Sequence, residues 1–515
     1  MKIALLVTFI ATIAAGAIAA ETGTTVTQEK VQNAIPQLEK LIADTMQKTG
    51  VPGLAVGIVY KDQVVYLKAF GVREEGKPDP VDPDTVFQLA SLSKPIASTV
   101  AAIVVGRGLA DWDDQIVQHD PGFQMYIPWV TYEITIRDFL CHRSGLPTSS
   151  GDLLEDLGGD REQALFSLRY QRPTSSFRSA YAYSNFGYTE GATAIAKAAG
   201  KSWEDLSAEL LYSPLGMTST SSRFSDYITR TNRAKPHVLV DGKWVAKYQR
   251  EPDAQAPAGG VSSNVRDLMQ WTRLQLNDGK LGDQKIVDAK ALAETHRPQI
   301  VMRQAEDPAR DRAGSYGLGW DISYDYNGLV FWAHSGAFDL GAATNVNLLP
   351  SENLGIVILT NTSPIGVPES LTKSFFDLVL TGKVQRDWLE LYGKGFAEIT
   401  APNYGTEVDY THPPEKATPA LPAAAYTGTY HNDMYGDLVI AEKDSGLTMT
   451  LGPKKMMFPL QHFDRDIFTY QPVGENAYGL SGVMFNLGPK QKATSVMLEN
   501  LMVTDEGTFS RNADN

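Results

Sequence analysis

A serine three residues ahead of a lysine, as in Ser91-Leu92-Ser93-Lys94, puts hydroxyl and amine on one helix face, close enough for the amine to take the hydroxyl proton. That chemistry needs a neutral lysine. A free lysine titrates near about 10.4, so burial or a neighbouring cation must lower it by on the order of two or more units. The same spacing recurs at Ser370-Leu371-Thr372-Lys373, where Phe375 and Phe376 mark an ordinary amphipathic helix. Tyr183-Ser184-Asn185 places a phenol and an amide two residues apart, where an extended loop projects both into a cleft. The tyrosine can pass a proton to a leaving group and the asparagine can hold a substrate amide. Tyr430-His431-Asn432 has the same form and reads as a surface turn.

His334-Ser335-Gly336 follows the strand signal Leu329 to Ala333 and can line a cleft at a sheet edge. Its imidazole can donate to Tyr183 or to a substrate carboxylate, and Gly336 would let a substrate approach the backbone. The amide of Ala337 can join that of Ser91 in an oxyanion hole. The competing reading of His334 is a satisfied structural histidine.

The elements around these residues fall into two blocks. Leu38, Leu41, Ile42 and Met46 recur at helical spacing and stop at Gly50, so the Lys48-Thr49-Gly50 sequence there is a helix cap. Leu54 to Tyr60 and Val64 to Phe70 read as a hairpin across Lys61-Asp62-Gln63, and Thr85 to Leu89 as a short extended run leading to a helix that starts near Ser91. Strand signals return at Leu329 to Ala333, Ala343 to Leu349 and Leu354 to Thr360. Strands at both ends with helices between predict one antiparallel sheet built from distant segments, flanked by helices and carrying an all-helical subdomain. Two helical patterns follow Val367. A proline-rich stretch, residues 401–422, reads as a semi-rigid linker. From Ala423 onward, short alternating runs broken by turn signals predict six to eight strands in a small barrel or sandwich.

The motifs occur in one order, and their flanks add to them: Phe87 to Lys94, Thr135 to Leu146, Tyr183 to Tyr188, and Pro257-Ala258-Gly259-Gly260-Val261-Ser262-Ser263. Over roughly Thr27 to Gly382 the chain resembles the serine β-lactamase and penicillin-binding-protein superfamily, in its class C-like branch, whose signature is Ser-x-x-Lys, Tyr-x-Asn and then Lys-Thr-Gly or His-x-Gly. The resemblance implies an acyl-enzyme mechanism on the β-lactamase/transpeptidase-like α/β fold, with Ser91, Lys94, Tyr183 and His334 catalytic and Asn185, Ser335, Gly336 and Ala337 contacting substrate. Dedicated β-lactamases of the branch carry Lys-Thr-Gly where this chain has His334-Ser335-Gly336. The histidine form is similar to D-aminopeptidase-type peptidases, which also carry C-terminal β-barrel domains. In that family the segment around His142 supports the helical subdomain, so His142 is read as structural.

Composition bounds the rest. The balance of 46 basic and 60 acidic residues, net −14, with no basic stripe, argues against nucleic acid as a partner. Lys2, the apolar run Ile3 to Ala20 and the small residues at its end read as a cleaved secretory signal, which predicts a periplasmic or secreted protein with no stable membrane insertion after cleavage. The single cysteine, Cys141, allows neither a disulfide framework nor a thiolate metal cluster, and reads as a small buried apolar residue. The expected organisation is a signal at 1–20, a hydrolase domain at 21–400, a linker at 401–422 and a lipocalin-like β-barrel at 423–515. The expected function is an exported serine hydrolase of small or D-residue-containing peptides that needs no cofactor or metal. An esterase, a β-lactam-binding or β-lactam-hydrolysing enzyme, and a catalytically silent binding protein on the same fold are the alternatives.

Overall fold

The computed structural model describes residues 26–512 apart from 310, 326 and 445, so the secretory signal read at residues 1–20 lies outside the described residues. Among those described, no helix is long and apolar enough to cross a membrane.

One antiparallel sheet joins strands from distant segments of the chain. Its strands are β1 (Gly53–Tyr60), β2 (Gln63–Gly71), β3 (Ile300–Arg303), β4 (Gly314–Tyr316), β5 (Asp321–Tyr324), β6 (Val330–Phe338), β7 (Ala342–Leu349) and β8 (Leu354–Thr360), in the order β2-β1-β8-β7-β6-β5-β4-β3. The β1–β2 turn is only Lys61-Asp62, both at positive φ, because Gln63 already pairs with Tyr60; a two-residue turn of this kind matches the twist of the strands it joins. Every residue of β1 is buried. Leu54, Val56, Ile58 and Tyr60 face one side of the sheet, against helices α1 (Gln28–Thr49) and α7 (Val367–Thr381), while Ala55 and Val59 face the other.

The second face carries the helical layer that the sequence places between the strand-bearing ends. It contains α2 (Ser93–Gly106), α3 (Ile136–Leu140), α4 (Asp152–Asp156), α5 (Asn185–Ala198) and α6 (Val265–Leu276). Helix α2 is buried along almost its whole length, from Ser93 to Val104, which is why its sequence is apolar all round rather than striped. Helix α1 ends at Gly50 with φ 69°, so the Lys48-Thr49-Gly50 sequence is a helix cap. Ser370 and Lys373 lie within α7.

Two expectations about strands need correction. The strand read as ending at Ala333 continues to Phe338, so His334-Ser335-Gly336 lies inside β6. Tyr430-His431-Asn432 is part of a barrel strand with Tyr430 fully buried, because alternation along the strand turns that ring into the barrel.

After α8 (Trp388–Ile399) the chain forms a closed barrel of eight antiparallel strands among the described residues. They are β9 (Gly428–Asn432), β10 (Gly436–Lys443), β11 (Gly446–Leu451), β12 (Met456–Asp464), β13 (Ile467–Tyr470), β14 (Ser481–Leu487), β15 (Ala493–Leu498) and β16 (Thr508–Arg511), closed by pairing of Tyr430 with Arg511. Side chains fill the interior: Tyr426, Leu438, Met449, Phe468, Phe485 and Phe509 form one apolar cluster. The proline-rich stretch lies along this barrel rather than spanning free. Tyr404 and Tyr410 are buried, and Tyr478 N–H donates to Tyr404 Oη at 2.6 Å.

Candidate active site

Ser91 sits in a 3₁₀ turn, Ala90–Leu92, between a short strand at Phe87–Gln88 and α2. Ala90 takes φ 48°, a left-handed conformation that costs a non-glycine residue energy and is held by its surroundings. Those surroundings are visible: Thr344 Oγ1 donates to Leu89 O at 2.8 Å, Leu89 N–H donates to Val261 O at 2.9 Å, and Ser93 Oγ accepts from Val261 N–H at 3.0 Å. Gly336 of β6 packs directly on this turn. A Cβ there would lie 2.0 Å from Leu89 O and 2.3 Å from Thr344 Oγ1. The glycine expected to admit substrate therefore admits the Ser91 turn instead. Gly336→Ala is expected to displace that turn, costing about 1–3 kcal/mol and most of the activity; thermal melts beside a turnover assay check both.

Lys94 is fully buried and makes three contacts: Ser91 Oγ at 3.2 Å, Asn185 Oδ1 at 2.7 Å and Ala258 O at 3.0 Å. Burial lowers its pKa to about 7, against the opposing pull of Asp152 and Asp321. The amine is thus neutral in a substantial fraction of molecules at neutral pH. Two of its partners, the Asn185 and Ala258 oxygens, can only accept. A neutral amine spends its two N–H bonds on them and keeps its lone pair for the Ser91 hydroxyl.

Tyr183 lies with its ring 4.4 Å from Lys94 Nζ. Burial pushes its phenol well above the ordinary value, the Ser91 hydroxyl opposing, so Tyr183 is present as a proton donor. His142 supports it from behind. The His142 ring is 4.4 Å from that of Tyr183, and its Nδ1 accepts from Ser184 N–H at 3.1 Å. Asn185 is not on the extended loop expected; it is the first residue of α5, capped by Ser184.

His334 differs from its expected arrangement. Its Nδ1 is 2.6 Å from Ser335 O, which can only accept, so Nδ1 carries the hydrogen and Nε2 accepts from Tyr316 Oη at 3.0 Å. Neither nitrogen is left for Tyr183. Burial, with Lys94 nearby, lowers the His334 pKa to about 3, leaving a neutral ring. Ser335 turns its hydroxyl to the other face of the sheet, where Asn345 Nδ2 donates to it at 3.1 Å. What Ser335 and Ala337 offer the cleft is backbone: β5 pairs with β6 only as far as Ala333, and beyond it that edge has no strand partner among the described residues.

Three neighbours were missed in the sequence. Asp152 Oδ2 accepts from Asn185 Nδ2 at 3.1 Å. Asp321 is half-buried near Lys94, and both carboxyls are pushed up to about 7 by desolvation. Tyr188 Oη donates to Lys94 O at 2.7 Å. Tyr188 stands in a recognisable stretch, but no spacing ties either aspartate to the lysine. Among the described residues, no group of three or more His, Cys, Asp or Glu side chains is arranged to hold a metal. Cys141 is buried, its thiol raised to about 12.

A nucleophile on a turn, a neutral lysine and an antiparallel sheet backed by helices define a serine hydrolase of the β-lactamase/penicillin-binding kind. The chain belongs to the Beta-lactamase family, whose model matches residues 38–373; a domain of unknown function, DUF3471, matches residues 412–511. The chain is 23% identical to unguisins hydrolase ungD of Aspergillus violaceofuscus, covering 92% of this chain and 89% of that protein. It is 27% identical to penicillin-binding protein 4 of Amycolatopsis lactamdurans, over 68% of this chain and 89% of that one. The octameric penicillin-binding protein homologue from Pyrococcus abyssi shares the fold, with a TM-score of 0.59 at 18% identity, covering 90% of this chain and 98% of that one.

Proposed function

We propose that this chain hydrolyses amide bonds of small peptides, D-residue-containing peptides among them, through an acyl-enzyme on Ser91, and that it acts outside the cytoplasm. The observation that carries the reading is the Lys94 environment, in which two pure acceptors orient the amine and burial keeps it poised near neutrality. Ser91 Oγ attacks the carbonyl as Lys94 Nζ takes its proton, and the amides of Ser91 and Ala337 hold the oxyanion. Tyr183 protonates the departing nitrogen as the C–N bond breaks and is reprotonated from Lys94. Water then attacks the ester, returning the proton to Ser91. The unpaired β6 edge beyond Ala333 favours an extended, peptide-like substrate, which can add to it as a strand. A hydrolase and a penicillin-binding protein among the relatives support acyl transfer, and the apolar segment Ile3 to Ala20 supports export.

The test is intact-mass spectrometry after exposure to a fluorophosphonate and, separately, to a penicillin, with Ser91→Ala alongside. One fluorophosphonate adduct per wild-type chain, absent from the variant, is expected. An unmodified wild type would point instead to a silent binding protein. A panel of matched peptides and esters then separates peptidase from esterase.

A further inference from the structure

Helix α4 is five residues long, too short to hold its own position. Its neighbours place it. Leu153 and Leu154 bury their side chains in the apolar cluster of the barrel. At its last residue, the Asp156 carboxylate accepts from Glu475 N–H at 2.9 Å, Asn476 N–H at 3.0 Å and Asn476 Nδ2 at 2.8 Å, all on the barrel loop between β13 and β14. The loop's other side is also fixed, since Glu475 accepts from Asp339 N–H and Tyr478 Oη donates to Asp339 Oδ2 at 2.8 Å, just beyond the end of β6.

The first residue of the same helix reaches the catalytic residues. Asp152 is nine-tenths buried, and only one of its oxygens has a partner, Asn185 Nδ2. That bond, together with the donation from Lys94 to Oδ1, sets which way the Asn185 amide lies. With Nδ2 held by Asp152, Oδ1 is the atom that faces Lys94. A flipped amide would present N–H to Lys94, and the amine would have to meet it with the lone pair that the Ser91 hydroxyl requires.

We propose that Asp152 is a positioning residue for the Ser91–Lys94 pair, and that the C-terminal barrel acts on the active site through α4. The proposal rests on Ser91 as the acylated nucleophile. It gives the barrel a place in the reaction although none of its side chains need touch substrate.

The rate of fluorophosphonate labelling of Ser91 in the full-length chain tests it, with the melting temperature measured for each variant. Asp152→Ala is expected to label about 10²-fold more slowly, the scale of a small misplacement of reacting groups. Asp152→Asn keeps a carbonyl acceptor and restores most of the rate. Asp156→Ala, remote from Ser91, is expected to slow labelling about tenfold, a coupling carried through packed elements. Should Asp152→Ala melt early, Asp152→Leu, which fills the space without an acceptor, carries the same test. Wild-type labelling in the Asp152→Ala or Asp152→Leu variant, or no recovery in Asp152→Asn, overturns the positioning role, and an unchanged Asp156→Ala overturns the route through the barrel. A wild-type chain that does not label sinks the nucleophile reading and this proposal with it.

Discussion

Ser91→Ala is expected to abolish turnover, by about 10⁴-fold or more, while the protein stays folded. The two effects separate because of where the hydroxyl stands. It meets Lys94 Nζ at 3.2 Å and takes no part in the hydrogen bonds that hold the turn, which run through Leu89, Ser93 and Thr344. Loss of one such bond costs about 1 kcal/mol. A steady-state assay and a thermal melt on the same preparation decide the matter: activity that survives removes Ser91 from the mechanism, whereas a collapsed melting temperature assigns it to the fold.

Lys94→Met is expected to lower the acylation rate by about 10²–10⁴-fold, the usual contribution of a positioned base, and to change its pH dependence. In the wild type the reactive form is the neutral amine. With the Lys94 pKa lowered to about 7, the rate rises with pH through about 7 and levels off above it. The methionine variant keeps the buried stem but has no amine to titrate, so its residual rate lacks that rise. Labelling rates from pH 5 to 9 show the difference. A wild-type rate that falls as pH rises through 7 would mean that the ammonium form is required, and the base would have to be sought elsewhere.

Ser91, Lys94, Tyr183 and Asn185 could be read from the sequence because each pair is linked by a short, fixed spacing, and the structure brings the two pairs together at Lys94 Nζ. The sheet was legible for a similar reason, since a strand buried on both faces, such as β1 or β8, is an almost unbroken apolar run. What failed was the end of a strand. Stopping β6 at Ala333 discarded the alternation that puts His334 and Gly336 on one face and Ser335 on the other, and with it the direction of the Ser335 hydroxyl. Asp152 and Asp321 were not legible at all. They reach the site from α4 and β5 by tertiary packing, and nothing local distinguishes them from surface carboxylates. The tautomer of His334 depends likewise on Tyr316, eighteen residues away in sequence.

The unpaired stretch of β6 also bears on how this protein behaves in a crowded solution. A sheet margin without a strand partner is a template for other chains as well as for substrate, and edge-to-edge growth of that kind begins many aggregates. The barrel poses no such hazard, because its last strand closes on its first. In the main sheet the turn beyond Phe338 is tied to Glu475 and Tyr478 of the barrel loop. An incoming strand therefore cannot extend the pairing past that turn without displacing the loop. The unpaired margin is short and at least half-buried along its length, which suits one peptide better than a neighbouring molecule.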